Sequence, residues 1–135
     1  MKKIVITGGL GYIGSELCKI YSGYSWLYNI IVIDNRFISG RVNQLRKWNM
    51  KFFHADILDQ ELIKKLCHDA DVVHHLAGIT SVPRVASEAN KEKEKEIEIN
   101  AIEGTQNIIN VIRDDCKIIM PSSHVVYESL KDVKL

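Results

Sequence analysis

Residues 4–14 read Ile4-Val5-Ile6-Thr7-Gly8-Gly9-Leu10-Gly11-Tyr12-Ile13-Gly14, and this stretch decides the fold of the 135-residue chain. A short β-branched run meets four glycines and then continues in a pattern that predicts a helix over residues 12–21. Gly9, Gly11 and Gly14 fit G-x-G-x-x-G, and Gly8, Gly11 and Gly14 fit the variant T-G-x-x-G-x-x-G. Such glycines allow a tight turn, a close approach of backbone to a pyrophosphate and close packing of helix on strand. The anion would lie on free N–H groups at the helix N-terminus.

A second apolar run ends in a carboxylate at the distance that a dinucleotide-binding fold requires. Residues 30–33 read as a buried strand, and Asp34 follows 20 residues after Gly14. A carboxylate at this position bonds the ribose hydroxyls in such folds. The alternative is a plain glycine turn with an aspartate that merely ends a strand. The strand before the glycines and the helix after them favour the dinucleotide-binding fingerprint.

Length and composition agree with a single domain over residues 1–135. The chain is 46% hydrophobic and 26% charged, which excludes disordered and membrane-embedded classes. Its net charge of +1 gives no reason to expect a nucleic-acid partner, and no apolar run has membrane-spanning length.

Cys18, Cys67 and Cys116 are widely spaced, which is typical of reduced thiols in a cytoplasmic protein. His74 and His75 are adjacent on a strand and face opposite sides, so we expect packing roles and no metal.

The rest of the chain alternates strands and helices. Strands are predicted at residues 51–54, 71–76 and 117–120, and helices at residues 58–67 and 88–113. The long helix carries an apolar stripe through Ile97, Ala101, Ile108 and Ile112. Strands separated by helices imply right-handed crossovers and a parallel sheet covered on both faces. We therefore predict an α/β fold with a doubly wound parallel sheet of order 3-2-1-4-5.

The order and spacing of several motifs resemble the extended short-chain dehydrogenases/reductases, specifically the NAD-dependent nucleotide-sugar epimerases and dehydratases. The resemblance covers residues 2–127. The segments that carry it are residues 7–14, Asp34-Asn35, Asp56-Ile57, His75-Leu76-Ala77-Gly78, Val82-Pro83, residues 100–107 and the Ser-Ser-x-x-V-Y pattern of residues 122–127. The resemblance implies a Rossmann-like sheet that is truncated after its fifth strand.

The resemblance also implies NAD as the cofactor. It assigns twelve residues to NAD binding, namely Gly8, Gly11, Tyr12, Ile13, Gly14, Asp34, Asn35, Asp56, Ile57, Leu76, Ala77 and Gly78. Asp56 could instead cap the following helix, and Ala77 with Gly78 could form a helix-capping turn. Arg36 keeps NADP open because an arginine there could hold a 2′-phosphate, whereas Asp34 would repel it, so NAD is favoured.

Catalysis is assigned by the same resemblance. Ser123 would hydrogen-bond the substrate hydroxyl or carbonyl while a hydride moves to or from the nicotinamide. The tyrosine of the family, with a lysine four residues later, is expected beyond Leu135. Tyr127 and Lys131 have that spacing and form the alternative pair, but they lie too close to Ser123 for the family pattern.

Three functional interpretations follow. The first is the NAD-binding portion of a nucleotide-sugar epimerase or dehydratase, with a nucleotide sugar as the substrate of the full-length relative. The second is a non-catalytic dinucleotide-binding module, and the third is an NADP-dependent reductase of the same superfamily. We expect the C-terminal substrate lobe to be absent, the isolated chain to be inactive, and any homodimer to form through the helix near residues 88–113.

Overall fold

The computed structural model describes residues 1–79 and 90–122, in which five strands form one parallel sheet. The strands are β1 (Lys2–Thr7), β2 (Tyr28–Asp34), β3 (Lys51–His54), β4 (Val72–His75) and β5 (Lys117–Ile119). The helices are α1 (Tyr12–Ser22), α2 (Ser39–Lys47), α3 (Gln60–Cys67) and α4 (Asn90–Ile109). The sheet order is β3-β2-β1-β4-β5 and every pairing is parallel, which confirms the predicted α/β architecture.

The sheet separates two hydrophobic cores. Ile4 and Ile6 of β1 belong to the core that includes Cys18 of α1 and residues of α2. Val5 belongs to the opposite core, which includes Ile108 of α4 and residues of α3. Successive side chains of a strand point to opposite faces, so strands that are apolar at every position must be covered on both sides.

Two predicted helix boundaries and one predicted apolar stripe differ from the structure. The helix near residues 88–113 ends at Ile109, because the amide of Val111 donates to the Ile108 carbonyl (3.2 Å) in a tighter turn. Helix α3 begins at Gln60 and not at residue 58, since Asp59 is its N-cap. The predicted apolar stripe of α4 is also only partly right, because Ile108 is buried but Ala101 is exposed.

Helix α2 was not predicted. Its sequence Ser-Gly-Arg-Val-Asn-Gln-Leu-Arg-Lys buries only Val42 and Leu45. Two apolar residues in nine give no periodicity that a hydrophobic pattern could reveal.

The parallel arrangement brings the carboxyl ends of the strands to one edge of the sheet. In open α/β sheets, ligands bind beyond this edge, where the strand order reverses. Here the order reverses at β1, which lies between β2 and β4. Within the described residues, no helix is both long enough and apolar enough to cross a membrane.

Candidate functional site

A cleft of about 550 Å³ opens at the carboxyl ends of the strands. All twelve residues that the sequence assigned to cofactor binding line it: Gly8, Gly11, Tyr12, Ile13, Gly14, Asp34, Asn35, Asp56, Ile57, Leu76, Ala77 and Gly78. The structure therefore brings four separate sequence segments together at one surface.

The floor of the cleft is the glycine turn after β1. Gly8 has φ of +69°, a left-handed conformation that residues with side chains rarely adopt. A Cβ at Gly8 would lie 2.7 Å from the Ala77 backbone nitrogen, so the turn and the end of β4 touch through backbone alone. A Cβ at Gly9 would lie 2.1 Å from Cγ1 of Val32, underneath the turn. Of the two glycine patterns, the one that starts at Gly8 therefore faces the cleft, and Gly9 serves strand packing.

Helix α1 begins directly at this turn. Gly11 is its N-cap and supplies no side-chain hydrogen bond. A Cβ at Gly14 would lie 2.2 Å from the Gly8 carbonyl oxygen, so only glycine lets the helix approach the turn this closely. The first intrahelical bond is the one that the amide of Ser15 donates to the Gly11 carbonyl (2.9 Å). The amides of Tyr12 and Ile13 precede it, and they carry the positive end of the helix dipole at the cleft.

Asp34 lies at the end of β2 and is 5% exposed. Its Oδ2 accepts the amide of Leu10 (2.9 Å), and its Oδ1 accepts both the amide (3.0 Å) and the Nε (3.3 Å) of Arg36. A carboxylate offers about four lone-pair sites, so these three donors leave roughly one site for a further donor. The buried carboxylate thus both braces the glycine turn and keeps acceptor capacity towards the cleft.

The wall beyond β3 is formed by Asp56 and Ile57. Asp56 Oδ1 accepts the amide of Leu58 (2.9 Å), whereas the cap of α3 is Asp59, which accepts the amide of Leu62 (3.1 Å). The alternative that Asp56 caps the helix is therefore wrong, because a residue three positions later has that role. Asp56 instead stabilises the turn at the cleft.

Contacts with helix α4 fix the position of Ile57 in the cleft wall. A Cβ at Gly104 would lie 2.3 Å from Cδ1 of Ile57, so the glycine makes room for this side chain. The side-chain Nδ2 of Asn107 donates to the Ile57 carbonyl (3.0 Å) in a buried hydrogen bond. Gly104 and Asn107, rather than an apolar residue, thus turn towards the cleft wall.

The opposite wall follows β4. The amide of Leu76 donates to the Thr7 carbonyl (3.1 Å), and the amide of Ala77 donates to Thr7 Oγ1 (3.2 Å). A Cβ at Gly78 would meet nothing within 4 Å, so the cleft is open at this point. No helix begins within residues 76–79, which gives no support to the alternative of a helix-capping turn there.

The two adjacent histidines lie on opposite faces of the sheet, as predicted. His74 Nε2 is 2.8 Å from the Tyr21 hydroxyl, and His75 bonds Thr7 and Thr105 on the other face. Burial lowers the pKa of both rings. In the part of the chain that the structure describes, no group of three histidine, cysteine, aspartate or glutamate residues could hold a metal ion.

Several residues that line the cleft were not assigned from the sequence, and other predicted site residues are ones that the structure does not describe. The cleft also contacts Ile33, Ala55, Ile79, Asn100 and Pro121, and it contacts Arg36, which the sequence offered only as a candidate for holding a 2′-phosphate. The sequence held a signal for Asn100, which is a polar residue that helical spacing places beside the apolar stripe of α4. In the structure this residue is 8% exposed and lines the cleft. The predicted catalytic residues Ser123, Tyr127 and Lys131, and the Val82-Pro83 pair, lie outside the described residues.

Comparison with known proteins gives consistent matches. The family described as NAD dependent epimerase/dehydratase matches residues 4–134. The chain is 32% identical over 130 residues to UDP-glucose 4-epimerase of Mycoplasma genitalium, covering 93% of this chain and 37% of that protein. It is 32% identical over 137 residues to dTDP-D-glucose 4,6-dehydratase of Dictyostelium discoideum, covering 96% of this chain and 30% of that protein.

A solved structure agrees in fold and sequence. UDP-glucuronic acid 4-epimerase from Bacillus cereus, in complex with UDP-glucuronic acid and NAD, superimposes with a TM-score of 0.70 at 29% identity. The match covers 93% of this chain and 41% of that one. The chain thus spans 30 to 41% of the length of these three relatives and matches their N-terminal, NAD-binding portion.

Proposed function

The chain belongs to the NAD-dependent epimerase/dehydratase family, and we propose that it binds NAD in the described cleft as the cofactor-binding part of a nucleotide-sugar epimerase or dehydratase. The observation that carries this proposal is the combination of a backbone-only floor at Gly8, an uncapped helix start at Gly11 and a buried carboxylate at Asp34. Each suits a different part of a dinucleotide.

The glycine turn suits the pyrophosphate of the dinucleotide. A side chain at Gly8 or Gly14 would strike backbone atoms, so the surface can present only peptide groups to a ligand. The amides of Tyr12 and Ile13 precede the first intrahelical bond, and the helix dipole favours negative charge there. These groups would bind and orient the two phosphates.

The residues at the carboxyl ends of β2 and β3 suit the adenosine of the dinucleotide. The remaining acceptor capacity of Asp34 would take a ribose hydroxyl. Asp56 and Ile57 would flank the adenine, with Ile57 held in place by α4. Because Asp34 is braced by Leu10 and Arg36 before any ligand arrives, the site needs little rearrangement to bind.

The chemistry of the bound cofactor is hydride acceptance and donation at a carbon of the sugar. We propose that Ser123 orients a hydroxyl or carbonyl of a nucleotide-sugar substrate, with Tyr127 and Lys131 as the less favoured catalytic pair. The small residues Ala77 and Gly78 would let the reacting end of the cofactor lie against backbone. This assignment rests on the family pattern, since Ser123, Tyr127 and Lys131 lie outside the described residues.

The proposal also covers the domain organisation, the compartment and the partners of the protein. We propose one NAD-binding domain over residues 1–135, in the cytoplasm, without a nucleic-acid or membrane partner. Buried free thiols at Cys18 and Cys67 support a reducing compartment, and the net charge of +1 argues against nucleic acid. Ile102 and Ile109 lie seven residues apart on one exposed face of α4, which supports a homodimer through this helix.

NADP is the alternative cofactor. The Arg36 side chain is 56% exposed at the rim of the cleft, where its guanidinium could meet a 2′-phosphate. Its Nε is 3.3 Å from Asp34 Oδ1, however, and the Asp34 carboxylate would repel that phosphate. We therefore expect NAD to bind more tightly than NADP.

Titration calorimetry of the 135-residue chain with NAD and with NADP tests the proposal. Asp34→Asn removes the charge, and losing a charge-assisted hydrogen bond costs about 1.5–3 kcal/mol, or about ten- to a hundredfold in affinity. Asp59→Asn is the matched control, because asparagine also caps helices well and this side chain caps α3. Tighter binding of NADP would reverse the choice of cofactor, and a folded chain that binds neither would overturn the proposed function.

A further inference from the structure

A chain of three side chains, two buried and one half-buried, joins α4 to the floor of the cleft. His75 Nδ1 is 2.8 Å from Thr7 Oγ1, and His75 Nε2 is 3.0 Å from Thr105 Oγ1 on α4. Thr7 is fully buried and His75 is 4% exposed. The same Thr7 oxygen accepts the amide of Ala77 at 3.2 Å.

The hydrogen-bond partners favour one arrangement of the protons. Thr7 Oγ1 already accepts the Ala77 amide, so its own hydrogen needs an acceptor. Among the described residues, His75 Nδ1 is the acceptor within reach. In this arrangement the ring carries its proton on Nε2 and donates it to Thr105 Oγ1. Burial lowers the pKa of His75, which favours the neutral ring.

This chain of bonds acts on a close backbone contact in the floor of the cleft. A Cβ on Gly8 would lie 2.7 Å from the Ala77 nitrogen, so the position of that amide sets the floor. Thr7 directly precedes Gly8, and it is paired with His75 in the register of β1 and β4. A small displacement of the bond to Ala77 would therefore be felt at the surface on which a pyrophosphate is proposed to lie.

Helix α4 holds both walls at once through neighbouring residues. Thr105 contacts His75 behind the β4 wall, while Gly104 and Asn107 hold Ile57 in the β3 wall. A rigid helix with contacts to both walls fixes their separation. Removing the Thr105 bond would release one wall and leave the other in place.

We propose that His75 is a positioning residue for the cleft: as its Nε2–H tautomer it transmits the position of α4 from Thr105 to Thr7 and so places the Ala77 amide against Gly8. The inference rests on the proposed cofactor binding, since the affinity that it tunes is that for NAD. His75 itself does not line the cleft.

The test compares Thr105→Val, which removes the acceptor at nearly constant volume, with Thr105→Ser, which keeps it. We expect the valine variant to bind NAD about three- to tenfold more weakly, the range that one hydrogen bond contributes, and the serine variant to bind within about twofold of the parent. Tyr21→Phe is the matched control, because it removes one bond to the neighbouring His74 on the opposite face. It should lower stability without changing the affinity for NAD.

Nuclear magnetic resonance of the same proteins separates positioning from plain structural support. Ring nitrogen shifts should show the Nε2–H tautomer of His75, and the amide signals of Gly8 and Ala77 should move in Thr105→Val but not in Tyr21→Phe. His75→Asn, whose shorter side chain can bond Thr7 but not Thr105, should repeat the effect if the valine variant folds poorly.

The outcomes distinguish the two proposals. Unchanged affinity and unchanged Gly8 and Ala77 signals in folded Thr105→Val would overturn the positioning role, as would an Nδ1–H tautomer. If the parent chain binds no NAD while those signals still move, the coupling stands and the proposed function fails.

Discussion

Two helices of this molecule begin in opposite ways. Helix α3 begins at Asp59, whose carboxylate accepts the amide of Leu62 (3.1 Å), with Glu61 in its first turn. Helix α1 begins at Gly11, which offers no side-chain cap, and it has no acidic residue in its first turn. The N-terminus of α3 is therefore satisfied by the chain itself, whereas that of α1 is left for a partner. An anionic ligand can use the second kind of helix end only because the first kind of capping has been omitted.

The omission costs the fold little. A glycine at the N-cap is only a few tenths of a kcal/mol worse than a good capping side chain. The nearby carboxylate is instead supplied from another element, since Asp34 of β2 accepts the amide of Leu10 within the glycine turn that precedes α1. The negative charge thus stands beside the helix end and does not block it.

The largest effect should come from Gly14→Ala. A Cβ would lie 2.2 Å from the Gly8 carbonyl oxygen, so α1 must move away from the turn. We expect a loss of about 1–3 kcal/mol in the free energy of unfolding and of all measurable NAD binding. Urea denaturation and calorimetry measure the two effects.

Gly40→Ala is its control, because a Cβ at Gly40 in α2 meets nothing within 4 Å. Alanine suits a helix better than glycine, so the control should keep or raise stability by up to about 1 kcal/mol. If Gly14→Ala binds NAD like the parent, the open start of α1 is not a ligand surface and the comparison fails.

A smaller effect is expected from Asp59→Ala at the closed helix end. Removing an aspartate cap costs about 1 kcal/mol of stability. The affinity for NAD should stay within about twofold, because Asp59 does not line the cleft. Chemical denaturation and calorimetry on one preparation give both numbers. A fall in affinity as large as that of Asp34→Asn would show that α3 is also part of the ligand site.

The smallest change in stability, a few tenths of a kcal/mol, is expected for Gly11→Ser. This substitution gives α1 the kind of cap that α3 has. The backbone at Gly11 (φ −72°, ψ 178°) accepts a serine, whose Cβ would lie 3.1 Å from the Gly8 carbonyl oxygen. The hydroxyl would then occupy an amide that the ligand needs, so NAD should bind about three- to tenfold more weakly. Gly11→Ala is the control, since it adds the Cβ without the hydroxyl. Equal losses in both variants would mean that steric bulk, not capping, is responsible.

Much of the fold could be predicted from the sequence because each central strand carries two signals, a continuous apolar run and an abrupt end. The apolar runs of β1 and β2 are continuous, and each ends abruptly, at the Gly8 turn and at Asp34. The same ends supply the proposed site residues, since parallel strands place their carboxyl ends along one edge. Fold and cleft are therefore encoded by the same few positions.

The remaining features could not be read from a hydrophobic pattern. Helix α2 buries only two side chains, and α4 turns Gly104 and Asn107 inward because they serve the cleft wall rather than an apolar core. The sequence offers two aspartates, Asp56 and Asp59, before α3, and only the geometry shows which one caps it. Ser123, Tyr127 and Lys131 stay predictions.

The sheet order determines how far apart along the chain the strands that form the cleft lie. Strand β1 pairs with β2 across 26 residues of chain (Lys2↔Tyr28) but with β4 across 68 (Ile4↔Val72). Loop-closure entropy grows only logarithmically, so the longer closure costs just about 0.9 kcal/mol more. This β1–β4 seam is the less local contact of β1, and α4 also holds its two sides together through Thr105 and Asn107. A bound dinucleotide would bridge this seam, and the amides of Leu76 and Ala77 would exchange their hydrogens more slowly than without it.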